Sequence, residues 1–332
     1  MRTYIIAEAG ANHNQDYEKA IKLIDVAKES GANCVKFQTY SSDTLYSKNT
    51  PDFAGYKNVN KLIKNIELPR EWQPDLKKYC DSKDIHFMST PFDEKAVEEL
   101  CDIGVKCMKI SGFESCDFRF VEMVASTGLP LIISIGIGFP MPKLYKIFQI
   151  CKKYDNLLTL LHCNNAYPTP LEDINLNTIK ELNAICASVG LSDHTTSVFV
   201  PSLAVAVGAN VIEKHFTLDK TLDGPDHKFA LNPQELKQMV DLIKDTEKCL
   251  KNKEGAFTDS EKQFISAKRS IVAKTNIKKG DILTTDNITT KRPYLDGNIP
   301  AFEFEYVLGK PARSDYNIDD FIKNENFNHI KR

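Results

Sequence analysis

Two short apolar runs, "SVGLSDH" and "NVIEKH", end on His194 and His215 and flank a helical pattern within Ser188 to Asp219. Imidazole is the commonest ligand for a divalent metal at neutral pH, so two of them at the ends of neighbouring buried strands make a candidate metal pair. Two histidines alone specify no metal, and an isolated one is more often an ordinary hydrogen-bonded side chain. Lys36 in "CVKFQ" and Lys109 in "CMKIS" stand inside apolar runs. Burying an ammonium without a partner costs several kcal/mol or shifts its pKa, so each of these lysines needs an anion nearby. Around them, Glu8, Gln38, Ser89, Glu114, Ser134, His162, Asn165, Tyr167 and Ser192 fall at or just beyond strand-like runs. A lone serine there commonly caps a helix. Two buried lysines with strand-end serines and helix N-termini, however, make an anion site, with phosphate as the natural guest. Phosphate-binding cations, a Lewis-acid metal and carboxylates on one face suit the joining of a phosphorylated enol to a carbonyl compound.

The elements that must position these residues are legible from the alternation of β-rich runs with amphipathic helical stretches. The runs cover residues 3 to 10, 33 to 40, 85 to 91, 106 to 111, 130 to 136, 157 to 163, 187 to 193 and 210 to 216. Helical patterns such as "DYEKAIKLIDVAKESG", with Ile21, Ile24, Val26 and Ala27 at helical spacing, and "DEKAVEELCDIG", opened by a capping Asp, separate them. Eight strand–helix units in about 250 residues predict a (β/α)8 TIM barrel rather than an open doubly wound sheet, the second choice. In such barrels the active site lies at the C-terminal ends of the strands, where the polar residues above are expected. One connection is abnormally long: Ser41 to Leu68 is polar and would lie at that rim.

The 332 residues carry a formal net charge of -2, with 42% hydrophobic and 27% charged residues mixed throughout, which excludes a general affinity for nucleic acid. Nine scattered cysteines without a CxxC pair suit a reducing compartment. No stretch approaches the roughly 18 apolar residues of a membrane span, and the N-terminal apolar run, short and interrupted by Glu8, is not expected to act as a signal peptide. The expected location is therefore cytoplasmic. After about residue 252 the pattern changes: a charged linker, 253 to 268, leads to a β-rich tail, 269 to 332, with a turn at Lys279-Gly280-Asp281. A tail of that size needs docking onto a neighbour for stability.

At "IAEAGANHN", "VKFQT", "STPFD", "HCNNAYPTP", "GLSDHT", "VIEKHFTLD" and "GPDHKFAL" the chain resembles the sialic acid synthase family, and "IKKGDILTTDNITTKRP" resembles that family's antifreeze-like (SAF) domain. The family condenses phosphoenolpyruvate with an N-acetylated amino sugar to give a nine-carbon 2-keto sugar acid and phosphate. The resemblance implies Mn2+ or Mg2+ on His194 and His215, and phosphoenolpyruvate on Lys36, Lys109, Ser134, Asn165 and Ser192. It further implies that Glu8, Gln38, Tyr167 and Asp226 meet the amino sugar. Arg292 of "KRP" would reach into the partner's site in a domain-swapped homodimer. Glu114 would handle protons or the attacking water, the third catalytic group beside the two histidines. Two positions depart from the family pattern: Gly112 stands where a phosphate-binding serine is expected, with Ser111 one place early, and Ile135 replaces a threonine. Acceptors of the sialic and legionaminic type, N-acetylmannosamine or 2,4-diacetamido-2,4,6-trideoxymannose, are expected. The pseudaminic, altrose-configured type and other phosphoenolpyruvate-condensing barrels are the alternatives, and a Schiff-base lysine aldolase or a non-catalytic sugar-binding protein stand further off.

Overall fold

The computed structural model describes residues 2–324 apart from 53, 54, 56, 252, 253 and 256. Eight parallel strands form the first unit's sheet: β1 (Tyr4–Gly10), β2 (Cys34–Thr39), β3 (His86–Pro91), β4 (Met108–Ile110), β5 (Leu131–Ile135), β6 (Leu158–Cys163), β7 (Val189–Asp193) and β8 (Val211–His215). The first strand pairs with the second on one side and with the last on the other, which no open doubly wound sheet does. With β3 lying beside β4, the ring is closed and the architecture is a TIM barrel.

Helices form where the sequence supplies caps and an apolar stripe. Asp16 and Asp93 cap helices Tyr17–Ser30 and Glu94–Asp102 by accepting from the backbone N–H three residues on. Asn232 and Glu235 form a reciprocal capping box at the start of Pro233–Cys249. Their buried faces join the outward side of the strands in one large core that includes Leu23, Ile24, Val35, Leu100, Ile133, Leu191, Leu236 and Val240. The lumen is plugged lower down by a separate apolar layer of Ile6, Cys34, Met88, Ile132, Leu161 and Val211. Above that plug, at the C-terminal ends, the inward positions turn polar. The long segment after β2 is not without structure. It contains helices Ser42–Leu45 and Val59–Lys64, held by a small core of Ala11, Tyr40 and Ile66 with Leu45, Leu62, Ile63 and Phe92.

The chain divides into two compact units, Met1–Lys251 and Asn252–Arg332. In the second, β9 (Ser270–Ala273) pairs antiparallel with β10 (Ile288–Lys291), and isolated bridges tie in later residues such as Tyr316 and Phe321. Its core is small, built on Ile271, Ile277, Leu283, Ile288, Ile299, Val307 and Ile322. The turn expected at Lys279-Gly280-Asp281 is present, with Gly280 at φ +98° and the Asp281 carboxylate accepting from Lys278 N–H at 2.8 Å.

Candidate active site

Period-two alternation along the strands decides which side chains reach the mouth of the barrel. Glu8 of β1, Lys36 and Gln38 of β2, Lys109 and Ser111 at β4, Ser134 of β5, Asn165 and Tyr167 after β6, Ser192 and His194 at β7, and His215 of β8 all line one cavity. Ser89 and His162 have the opposite parity and point elsewhere. Ser89 Oγ lies 2.7 Å from Thr39 Oγ1, and His162 Nε2 lies 2.6 Å from the carbonyl of Ile174.

The centre of the site is an ionic network. Lys36 Nζ lies 2.9 Å from Glu8 and 3.6 Å from Glu213, and it donates to Thr90 Oγ1 at 2.9 Å. Lys109 Nζ lies 3.6 Å from the other oxygen of Glu213 and donates to Ser134 Oγ at 2.8 Å. Ser192 donates to Glu213 at 2.9 Å, and Gln38 to Glu8 at 2.7 Å. Glu213 thus joins both lysines, yet the spacing of lysines and serines does not announce it. Parity does: it sits two residues before His215 on the same strand, hence on the same face, and Thr90 follows the same rule on β3.

The electrostatics follow from burial and pairing. Burial pushes the Glu8 carboxyl up to about 7, against the pull of Lys36 and with the help of Glu213. Glu213, despite the same desolvation, is held below the usual carboxylate range by Lys109 and Lys36. Burial lowers Lys109, whereas Lys36 is raised in spite of burial by Glu213 and Glu8. Near neutrality the network therefore holds a charged Lys36, an ionised Glu213 and a Glu8 that shares its time between two protonation states.

Beside the network stand the two imidazoles, with ring centroids 5.3 Å apart. Burial pulls His194 down to about 4 and His215 well below its ordinary value, so both are neutral, the form that binds metals. His194 Nδ1 lies 2.7 Å from the carbonyl of Asn164, which can only accept, so this nitrogen carries the hydrogen and Nε2 keeps its lone pair. His215 Nδ1 is buried without a hydrogen-bond partner, 3.6 Å from Asp226 Oδ2. That orphaned nitrogen and the pre-set tautomer of its neighbour fit a divalent cation. No cluster of three or more His, Cys, Asp or Glu side chains suited to a metal exists among the described residues. An ion held by these two imidazoles would keep its other positions for water and substrate. Burial also raises the Asp226 carboxyl to about 6, and Tyr167 packs its ring 4.3 Å from that of His194.

The departures from the family pattern have structural causes. The Asn165 amide lies against Gly112 and Gly136, and a Cβ at Gly112 would stand 2.9 Å from Asn165 Oδ1, so a serine there would displace this side chain. The hydroxyl of Ser111 is taken by Glu114, whose carboxyl burial raises above its usual range. Ile135 points away from the mouth into the strand–helix core, where a hydroxyl would serve nothing at the site. The expected helix N–H donors are not beside the serines. The helix after β5 starts only at Leu144, beyond Pro140 and Pro142, and that after β7 at Val200, so side chains supply the polar groups instead. Arg292 lies in the second unit, exposed, one residue past β10.

A closed barrel with buried lysines, carboxylates and paired imidazoles at the C-terminal ends of its strands is built as a barrel enzyme. Residues 23–255 match the NeuB family and residues 268–328 the SAF domain, and the chain is an enzyme of the NeuB family. The N,N'-diacetyllegionaminic acid synthase of Campylobacter jejuni is 38% identical over 334 residues, 97% of this chain and 99% of that protein. The pseudaminic acid synthase of the same species is 36% identical over 337 residues, 98% of this chain and 97% of its own. The crystal structure of N-acetylneuraminic acid synthetase from Leptospira borgpetersenii superposes with a TM-score of 0.73 at 34% identity, covering 80% of this chain and 91% of that one. No helix among the described residues is long and apolar enough to cross a membrane.

Proposed function

We propose that the protein condenses phosphoenolpyruvate with an N-acetylated amino sugar, releasing phosphate and a nine-carbon 2-keto sugar acid of the sialic or legionaminic type. The observation that carries this reading is the meeting, in one buried cluster, of Lys36 and Lys109 with Ser134, Ser192 and Asn165, next to two neutral imidazoles. The lysines and hydroxyls supply an anion site for the phosphoenol. Glu8, Gln38, Tyr167 and Asp226, on the β1, β2, β6 and β8 sides, are left to orient the sugar. His194 and His215 would hold Mn2+ or Mg2+, which when bound supplies Lewis-acid polarisation of a carbonyl oxygen.

The enol carbon attacks the sugar's C1 aldehyde, forming the new carbon–carbon bond and leaving oxocarbenium character at the pyruvyl carbon. Water adds to that carbon, and the C–O bond to phosphate then breaks. Glu114, its carboxyl raised by burial and bonded to Ser111 of the cavity wall, would take the proton from that water. Arg292 would enter the site of a partner chain in a domain-swapped homodimer.

Incubation with phosphoenolpyruvate, Mn2+ and a panel of acceptors tests the assignment. The panel is N-acetylmannosamine, 2,4-diacetamido-2,4,6-trideoxymannose and its altrose isomer. Phosphate release with one of the first two is expected. Release with the altrose isomer alone moves the protein to the pseudaminic type, to which the C. jejuni synthase at 36% identity belongs by name. Release with none removes the assignment.

A further inference from the structure

Each histidine follows a buried residue of opposite charge to its counterpart on the neighbouring strand: Asp193 precedes His194, and Lys214 precedes His215. The two are register partners across β7 and β8. Because side chains alternate, the histidines face the lumen with Ser192 and Glu213, and Asp193 and Lys214 face the outer side of the sheet. There the Lys214 ammonium grips both chain neighbours of His194. It lies 2.7 Å from the Asp193 carboxylate, donates to Thr195 Oγ1 at 3.2 Å, and also donates to the Thr195 carbonyl. Asp193 Oδ1 closes the ring by accepting from Thr195 N–H at 2.8 Å. Asp193, Thr195 and Lys214 are each 1% exposed.

An ion pair buried to this degree is a weak source of stability compared with apolar side chains of the same volume. As a geometric device it is strong. One ammonium next to His215 fixes the residue before and the residue after His194, so the backbone carrying one imidazole cannot shift or twist without the other. We propose that Asp193, Thr195 and Lys214 form a clamp on the outer face of the barrel wall, positioning residues that set the spacing and tilt of the His194 and His215 rings for a divalent cation. The clamp rests on the reading that these two histidines hold the metal. Removing it changes no ligand, but it frees the two rings to move apart, an effect of the kind that costs metal sites about 10- to 100-fold in affinity when an orienting partner is lost.

The test uses the full chain, with Mn2+ binding followed by the electron paramagnetic resonance signal of the free ion and folding followed by thermal unfolding without metal. Asp193→Asn and the charge-free double variant Asp193→Asn/Lys214→Met are compared with wild type. Both variants are expected to bind Mn2+ about 10- to 100-fold more weakly. The double variant, with no unpaired charge left in the wall, is expected to unfold close to the wild-type temperature. Weakened binding together with a near-wild-type unfolding temperature separates positioning from bulk stability. Wild-type Mn2+ affinity in either folded variant overturns the clamp while leaving the metal reading intact. A wild-type protein that binds no Mn2+ removes the metal reading and the clamp with it.

Discussion

Glu8 is the residue whose chemistry is most altered by its surroundings. It pairs with Lys36 at 2.9 Å, yet burial and the neighbouring Glu213 carry its carboxyl up to about 7. A carboxyl raised in the folded state favours folding while protonated, so its contribution is present below the ordinary carboxylate range and is lost as pH rises through the folded value. Relative to Glu8→Gln, wild type is therefore expected to lose on the order of 3 kcal/mol of stability between pH 4.5 and pH 8. Urea unfolding of both proteins at each pH measures the difference, and a pH-independent gap would refute the raised carboxyl. The histidines shift in the opposite sense, since His194 lowered to about 4 opposes folding in acid, and comparison with the single variant cancels that contribution. His215→Ala separates the two halves of the site: it is expected to abolish Mn2+-dependent phosphate release while calorimetric binding of phosphoenolpyruvate to the lysine cluster persists. Turnover that survives in this variant would take the metal away from the histidine pair.

The elements were readable because each strand is a short β-rich run bounded by a cap or a turn, and all eight lie where the sequence places them. What the sequence did not display is what strand pairing brings together. Glu213 became visible as the link between two lysines only once β8, β2 and β4 were placed around one lumen. The helix donors expected beside the serines were misjudged because the prolines after β5 delay the helix. Close backbone approach is equally hidden. Gly190 of β7 sits so near β8 that a Cβ there would fall 2.0 Å from the Val211 carbonyl. Gly190→Ala must separate the two strands that carry the histidines, and overpacking of this kind costs about 1–3 kcal/mol or more. A fall in the urea midpoint with unchanged slope is the expected result. An unperturbed midpoint would mean that the strands have slack. Gly112→Ser, which restores the family's serine, is expected to raise the KM for phosphoenolpyruvate, because the new Cβ displaces Asn165. A lowered KM would show that the hydroxyl outweighs the displaced amide.

At the scale of the whole molecule, the question is why a barrel with its polar cluster already assembled carries a second unit with so small a core. A unit of this size gains from being held against a larger neighbour. If the neighbour is the partner's barrel, Arg292 completes a site on a chain other than its own, and the two units become separable by genetics. Arg292→Ala is expected to lower kcat/KM for the amino sugar while leaving phosphoenolpyruvate binding unchanged. His215→Ala is expected to be inactive by itself. If the arm is exchanged, co-expression of the two variants is expected to give mixed dimers in which the barrel with an intact His215 meets the tail with an intact Arg292. Random pairing makes half of the dimers mixed, with one whole site of two in each, so at low acceptor concentration, where the Arg292→Ala sites contribute little, about one quarter of wild-type turnover is expected for an exchanged arm. If Arg292 serves its own barrel, no whole site exists in any dimer. Turnover at low acceptor concentration then stays at the mean of the two separately purified variants, which distinguishes the two arrangements in a single assay.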